Sequence, residues 1–324
     1  MKINRPQVLL LGNGLNRAYG SASWTEFLCK IAVRDDLIQY LKQGQSLESP
    51  MPLQAILLTN NHIDEKLSEN NQEAFGSVAN GQLSTLQKLL TIGFDHILTT
   101  NYSYELEMAA FGGKKITEKQ ISALQHFYKV GSMKGAQTRY LINTYNLIDF
   151  QGQRNMVWHI HGEARKPNSM VLGHYFYGNL LFRIINYTKN YCDDFQKKQR
   201  KNQNIPLNSW INSFILGDVY IVGYGLDWSE LDLWWLINRK ANEKAEHGDI
   251  HFYTPISDKH KSVDERLELI KIFAGKNGGV HDMGLSIPTD KEEQNAAYIQ
   301  FYNKAIEDIS LRVANARKGE NVNG

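Results

Sequence analysis

Two short apolar runs that each end in a glycine-containing turn constrain the fold of this chain most. Val8-Leu9-Leu10 leads into Leu11-Gly12-Asn13-Gly14-Leu15-Asn16. Farther along, Asp218-Val219-Tyr220-Ile221-Val222 leads into Gly223-Tyr224-Gly225-Leu226-Asp227. An apolar run of this length is typical of a strand buried inside a parallel sheet. Because glycines after such strands let backbone N–H groups approach a phosphate, the two turns predict a nucleotide-binding α/β fold.

Other segments continue the alternation of strands and helices. We predict further strands over residues 94–100, 156–160, 169–172, 250–253 and 279–283. We predict helices, interrupted by breaks, over residues 24–90, 104–110, 177–204, 208–215, 229–244, 263–274 and 292–316. The mixed pattern of residues 114–150 predicts no particular element. Strands that alternate with helices indicate a mostly parallel sheet with helices on both faces.

The composition narrows the classes of function. The chain has 324 residues, of which 42% are hydrophobic and 22% charged, as is typical of a soluble globular protein. Its formal net charge of +2 gives no electrostatic reason to expect direct binding of nucleic acid. Cys29 and Cys192 are the only cysteines, so a four-cysteine zinc site is excluded and a disulfide framework is not expected. No segment has the pattern of a secretion signal or a bilayer span, and we expect a cytoplasmic protein without membrane contact.

Polar residues follow two more of the predicted strands. Thr99-Thr100-Asn101-Tyr102 ends one strand, and Trp158-His159-Ile160-His161-Gly162 ends another. Parallel sheets bind ligands beyond the carboxyl ends of their strands, so we expect these residues to lie near the two glycine turns. Strand alternation places His159 and His161 on one side of the sheet, with His161 nearer the edge. An imidazole in that position suits proton transfer near neutral pH.

Each of these motifs also has a purely structural interpretation. Gly12-Asn13-Gly14 lacks the third glycine of the dinucleotide fingerprint and can be a tight turn. Asn101 can cap the helix that follows it, and His161 can be a hydrogen-bonded core residue. The helix dipole accounts for the acidic residues that open the helix after the second glycine turn, namely Asp227, Glu230 and Asp232. The other histidines have no metal-ligand spacing, and no metal site is expected.

Taken in order, four of these motifs resemble the motifs of bacterial SIR2-like domains. They occupy residues 11–16, 98–102, 159–162 together with 169–173, and 221–226. The similarity is closest to antiphage SIR2-like NADases and to the related AbiH-type abortive-infection proteins. The resemblance implies a Rossmann-like sheet in a single NAD-binding domain over residues 1–324, with helical insertions at about 31–92 and 177–215.

The same resemblance implies an activity and a set of site residues. The implied reaction is hydrolysis of NAD+ to nicotinamide and ADP-ribose, by an effector of antiphage defence that depletes NAD+. Carried over by motif, His161 and Asn101 are the catalytic residues. The residues implied to hold NAD+ are Gly12, Asn13, Gly14, Leu15, Asn16, Thr100, Tyr102, Gly223, Tyr224, Gly225 and Leu226. NAD+ is the substrate, and no further cofactor, zinc or other metal is implied.

Two departures from the family bear on these expectations. The zinc-ribbon cysteines of the protein deacylases in this superfamily are absent, which argues against a deacylase. Family members often have an aspartate two residues after the asparagine, where this chain has Ser103. Ser103 is the best sequence support for a rival interpretation, a non-catalytic regulatory module that binds NAD or ADP-ribose.

For the catalytic interpretation, the expected chemistry resembles the cleavage of a glycoside. Positive charge develops on the ribose while nicotinamide leaves as a neutral molecule, so no general acid is needed. We expect Asn101 to orient a water molecule or a ribose hydroxyl, and His161 to accept a proton. The chain leaves no obvious separate sensor domain, so we expect control by self-association or by a sensor protein encoded nearby.

Overall fold

An eight-stranded, mostly parallel sheet forms the centre of the protein. The computed structural model describes residues 5–45, 49–59, 78–79, 81–129, 139–189, 207–243, 247–255, 264–288 and 290–321. The strands are β1 (Gln7–Leu11), β2 (His96–Thr99), β3 (Gln125–Phe127), β4 (Thr144–Phe150), β5 (Gln153–His159), β6 (Asp218–Val222), β7 (Ile250–Tyr253) and β8 (Gly279–His281). Their order across the sheet is β3-β4-β5-β2-β1-β6-β7-β8.

Six neighbouring strands, from β5 to β8 in that order, are parallel. β3 and β4 add an antiparallel edge, which lies in the segment for which the sequence predicted no element. Phe150 pairs with Gln153, so the β4–β5 hairpin turns through two residues. Both have positive φ, +47° at Gln151 and +80° at Gly152, as a tight hairpin turn requires. The usual sequence of such a turn is Asn-Gly, and here Gln151 takes the place of the asparagine, so the sequence does not mark the turn.

Helices cover both faces of the sheet. They are α1 (Gly14–Ala18), α2 (Trp24–Ile31), α3 (Asp35–Lys42), α4 (Met51–Thr59), α5 (Gln82–Thr91), α6 (Glu105–Ala110), α7 (Glu118–Leu124), α8 (His174–Tyr187), α9 (Trp210–Leu216), α10 (Leu231–Ala241), α11 (Glu265–Phe273) and α12 (Lys291–Asn321). Side chains of α8, α9, α10 and α11 pack into the core on one face. Side chains of α1, α5, α6 and α12 pack into the core on the other. The fold is therefore of the α/β, Rossmann-like class, as predicted.

Alternation along β1 explains why its sequence is apolar at every position from Val8 to Leu11. Val8 and Leu10 point into the core beneath α9 and α10, whereas Leu9 and Leu11 point into the core beneath α5 and α12. All four side chains are at most 1% exposed. A strand with a helical layer on each face has no solvent side, so it carries no polar alternation.

The predicted helical insertions correspond only in part to described helices. α3, α4 and α5 lie within residues 31–92, and most of α8 together with most of α9 lies within 177–215; parts of both ranges fall outside the described residues. The short strand predicted over residues 169–172 is wrong, because a 3₁₀ turn at Pro167–Ser169 is followed by irregular backbone. No helix in the described part of the chain is long and apolar enough to cross a membrane.

A buried lysine caps the end of α9. Lys240 in α10 is 1% exposed, and its ammonium donates to the carbonyl oxygens of Phe214 at 3.2 Å, Ile215 at 3.0 Å and Gly217. The last carbonyls of a helix have no partner within the helix, so a cation beside them also complements the helix dipole. Lys240 therefore ties α10 to α9.

Replacing Lys240 by methionine is expected to lower the free energy of unfolding by about 1–3 kcal/mol, because three buried carbonyl groups lose their donor. Urea unfolding followed by circular dichroism measures the change. Lys271→Met is the matched control, because Lys271 forms only a surface pair with Glu268, and pairs of that kind contribute about 0–1 kcal/mol. Equal losses in the two variants would contradict the capping role.

Candidate functional site

Four adjacent strands bring the sequence motifs to one edge of the sheet. β5, β2, β1 and β6 are neighbours in this order, and all four run in the same direction. The chain leaves β1 towards β2 on one side and later returns to β6 on the other. Ligands of open α/β sheets bind where the strand order reverses in this way, beyond the carboxyl ends of the strands. Here that place lies between the two glycine turns.

The two glycine turns pack directly against each other. The N–H of Gly12 donates to the carbonyl of Val222 at 2.9 Å, and that of Gly14 donates to the carbonyl of Gly223 at 2.7 Å. A Cβ on Gly12 would lie 2.4 Å from the carbonyl oxygen of Gly223. Both N–H groups are therefore used by the contact between the turns, and glycine is required at residue 12 because any side chain would collide with the opposite turn.

The other residues of the two turns divide between core and surface. Leu15 is fully buried and Leu226 is 1% exposed, so both side chains belong to the core. Asn13 is exposed and accepts a hydrogen bond from the amide of Asn16 at 3.1 Å. Asn16 is 1% exposed and accepts from Gln82 at 2.7 Å. Of these predicted binding residues, the two asparagines offer side-chain polar groups.

Asn101 and Asn16 line the same small cavity beside α6. Its walls also include residues from β1, β2, β5, α6 and the segment between β2 and α6, namely Leu11, Thr99, Ser103, Glu105, Leu106, Glu107 and His159. Asn101 is 7% exposed, and its side-chain oxygen has no hydrogen-bond partner among the described residues. A buried amide oxygen without a partner is costly, so this cavity, which has room for about one water molecule, suits a small hydrogen-bond donor.

A carboxylate lies in this cavity beside Ser103. The hydroxyl of Ser103 donates to the carboxylate of Glu105, which is 8% exposed. Burial raises the pKa of Glu105 above its usual value, although the bond from Ser103 opposes this shift. Sequence reasoning missed Glu105; the available signal was a glutamate four residues after Asn101, in the first turn of the following helix.

His159 forms a buried ion pair in the same region. Its Nε2 lies 3.0 Å from Glu107, and its Nδ1 donates to the backbone carbonyl of Asn101 at 2.9 Å. Burial alone would lower the pKa of this imidazole, but Glu107 opposes it, and the pKa rises to about 9. His159 therefore belongs to the cavity that holds Asn101.

His161 faces the opposite layer, contrary to the prediction that the two histidines share a side. β5 ends at His159, so the alternation of a strand no longer applies two residues later. His161 is 2% exposed, its Nε2 lies 2.9 Å from Asp232, and its ring lies 5.3 Å from that of Tyr177 in α8. Burial lowers the pKa of His161, but Asp232 and Glu230 together raise it above its usual value.

Asn101 and His161 thus occupy neighbouring strand ends without a hydrogen bond to each other. Thr99 pairs with His159, so both residues lie two positions beyond a paired position of β2 and β5. Tyr102 follows Asn101 in the chain, and its hydroxyl donates to the carbonyl of Val171 at 3.1 Å. The N–H of Val171 in turn donates to the carbonyl of His161. Burial raises the pKa of Tyr102, and Glu230 and Asp232 raise it further.

Thr100 and Gly162 have structural roles in the backbone at this edge of the sheet. The N–H of Thr100 donates to the carbonyl of Leu11 at 3.3 Å, which extends the β1–β2 ladder by one bond. Gly162 has a φ of +97°, and a Cβ there would lie 2.2 Å from the carbonyl oxygen of Ser169. The glycine after His161 therefore makes room for the following loop rather than for a ligand.

One group of side chains is close enough to share a metal ion among the described residues. The ligand atoms of His161, Glu230 and Asp232 all lie within 4.8 Å of one another. Asp232 lies at Nε2 of the ring, whereas the nearest ring nitrogen to Glu230 is Nδ1, at 3.9 Å. In this structure, Nε2 of His161 and the carboxylate of Asp232 share a hydrogen bond of 2.9 Å.

No protein-family model matches the chain, and no curated protein is significantly similar to it. The function is therefore inferred from the geometry of this edge together with the motifs.

Replacing Gly12 by alanine is expected to lower the free energy of unfolding by about 1–3 kcal/mol, because the added methyl group forces the two turns apart. Gly225→Ala is the matched control, because nothing lies within 4 Å of a Cβ there. Urea unfolding of both variants measures the effect. A loss in Gly225→Ala as large as in Gly12→Ala would contradict the close packing of the turns.

The His159–Glu107 pair predicts a stability that falls at alkaline pH. Because folding raises the pKa of His159 to about 9, the protonated ring stabilises the fold fully below its unfolded pKa of about 6.5, and this contribution disappears as the pH rises through about 9. Glu107→Gln is expected to lower the free energy of unfolding by about 3–5 kcal/mol at pH 6 and to flatten this decline. Urea unfolding between about pH 6 and pH 9 measures both effects. A decline of unchanged steepness in Glu107→Gln would show that another group causes it.

Proposed function

We propose that the protein is an NAD+ glycohydrolase, which releases nicotinamide and forms ADP-ribose. The observation that supports this proposal best is the adjacency of four strand ends. His161, Asn101, the first glycine turn and the second glycine turn follow β5, β2, β1 and β6, which are consecutive in the sheet. We propose that the dinucleotide lies along this edge, beside all four motifs.

The reaction requires few groups from the protein. Water adds to the ribose carbon that carries nicotinamide, the carbon–nitrogen bond breaks, and its electron pair neutralises the pyridinium ring. The water molecule gives up one proton, so the products are nicotinamide, ADP-ribose and H+. The protein must hold the ribose, orient the water and stabilise an oxocarbenium-like state.

Asn101 and His161 are proposed to supply these functions from neighbouring strands. The side-chain oxygen of Asn101 has no partner among the described residues and is available to a ribose hydroxyl or to water. Asp232 fixes the orientation of the His161 ring through Nε2. The ring lies close to two carboxylates, and together these groups form an acidic environment that stabilises positive charge on the ribose.

His161→Ala and Asn101→Ala are each expected to reduce the rate of NAD+ consumption by about 10²–10⁴-fold. Chromatography of nicotinamide and ADP-ribose measures the reaction. His126→Ala, which removes an exposed histidine of β3, is the matched control and retains the wild-type rate. Undiminished turnover in both site variants would reject the proposed assignment.

The proposed cellular role is antiphage defence through depletion of NAD+ in the cytoplasm. Activity that destroys NAD+ harms the cell unless it is controlled, so we propose activation by self-association or by a sensor protein encoded nearby. Direct binding of nucleic acid or of a membrane is not part of this proposal. A purified monomer with full, unregulated activity would count against such control, and light scattering combined with the NAD+ assay tests it.

A non-catalytic module that binds NAD or ADP-ribose is the second candidate. Two observations favour it: Ser103 stands where related enzymes often have aspartate, and both ring nitrogens of His161 face carboxylates. Calorimetry that detects NAD+ binding without nicotinamide release, even with the partner present, would support this second candidate.

A further inference from the structure

Glu230 has the features of a ligand-facing group although no sequence motif marks its role. It precedes α10 directly and follows the second glycine turn. The residue is 9% exposed, and the phenols of Tyr177 and Tyr224 lie within hydrogen-bonding reach of its carboxylate. A buried carboxylate carries a desolvation penalty, which a further donor on a bound ligand would relieve.

The groups around Glu230 come from four parts of the fold. His161, after β5, lies 3.9 Å away through Nδ1. Burial raises the pKa of Glu230, and the nearby carboxylates of Asp232 and Asp227 raise it further. Three phenols face this cluster, those of Tyr102 after β2, Tyr177 in α8 and Tyr224 in the second glycine turn. Burial raises the pKa of all three, and Glu230 raises it further.

His161 is poorly arranged to accept a proton from a ligand. Its Nε2 is bonded to Asp232, and its Nδ1 is directed towards Glu230. With one carboxylate at each nitrogen, the ring is stabilised as an imidazolium, which has no lone pair to offer. A proton released in the reaction therefore needs another acceptor.

We propose that Glu230 is the proton acceptor of the site, and that His161, oriented by Asp232, is the positively charged partner that holds it in place. This inference rests on the proposed NAD+ hydrolysis. Oε2 of Glu230 takes a proton from water as the water oxygen bonds to the ribose carbon and nicotinamide leaves with the electron pair. The protonated carboxyl then returns its proton to solvent.

The other buried carboxylates of this edge are less suited to the task. Asp232 and Glu107 have no exposed surface, and each has an oxygen held by an imidazole. Glu105 is about as exposed as Glu230, but it lies on the other face of the sheet, in the cavity beside Asn101 and His159. Glu105→Gln is therefore the most informative comparison for Glu230→Gln.

The titration of Glu230 fits this assignment. Burial raises its pKa, His161 opposes the shift, and the pKa comes to about 7. A general base works best when its pKa lies near the working pH. The charged form must be present, so kcat is expected to increase as the pH rises through about 7.

The experiment compares wild type, Glu230→Gln, Glu230→Asp, Glu105→Gln and the control Glu268→Gln, which changes an exposed surface pair. NAD+ turnover is measured as a function of pH, NAD+ binding by calorimetry and folding by circular dichroism. Glu230→Gln is expected to lower kcat by about 10²–10⁴-fold at unchanged NAD+ affinity and to abolish the dependence of kcat on pH near neutrality. Glu230→Asp should fold, keep a carboxylate and retain part of the rate together with the pH dependence.

Three results would overturn the inference, and they differ in what else they affect. Wild-type turnover in Glu230→Gln, or the large loss in Glu105→Gln instead, removes Glu230 as the acceptor and leaves the NAD+ hydrolase intact. Loss of NAD+ binding in Glu230→Gln, with turnover intact in Glu230→Asp at every pH, assigns Glu230 to binding alone. Absence of NAD+ consumption by wild type, with and without the product of the neighbouring gene, rejects the proposed function and this inference together.

Discussion

The rest of the structure depends on the contact between the two glycine turns. Gly12 and Gly14 donate backbone hydrogen bonds to the carbonyls of Val222 and Gly223, so the ends of β1 and β6 are held together at the point where the strand order reverses. This contact is possible only because no Cβ stands between the turns. The same hydrogen bonds consume two N–H groups that a phosphate would otherwise use, so a bound diphosphate would need other donors at this edge.

Charge at this edge is divided between the two helical layers. On one face, His159 pairs with Glu107, and Glu105 lies in the cavity that holds Asn101. On the other face, His161 lies between Asp232 and Glu230. Each imidazole is buried beside carboxylates, so the charged groups of this edge are poorly hydrated and interact more strongly than they would in water.

The sequence alone was sufficient for the fold class and for the main strands. Continuous apolar runs identify β1 and β6, because a strand covered on both faces needs no polar side. The β4–β5 hairpin was missed because Gln151 occupies a turn position where asparagine or glycine is usual. The residue types and their spacing do not reveal this turn, because the positive φ of Gln151 accompanies the pairing of β4 with β5.

The location of the candidate site could be predicted from the sequence, but the carboxylates that pair with its two histidines could not. Motif order placed Asn101 and His161 at the same sheet edge, yet Asp232 is 71 residues from His161 in the chain, and Glu107 is 52 from His159. Pairs so distant in sequence form only through tertiary packing. The opposite orientation of the two histidines follows from the end of β5 at His159, which a pattern of period two does not reveal.

The crystal structure of the His161→Ala variant with NAD+ tests the central claim most directly, because the slowed reaction preserves the dinucleotide. We expect NAD+ to lie along the ends of β5, β2, β1 and β6, with the nicotinamide ribose between Asn101 and the position of residue 161. NAD+ bound away from this edge, or with its ribosyl linkage remote from both residues, would contradict the account.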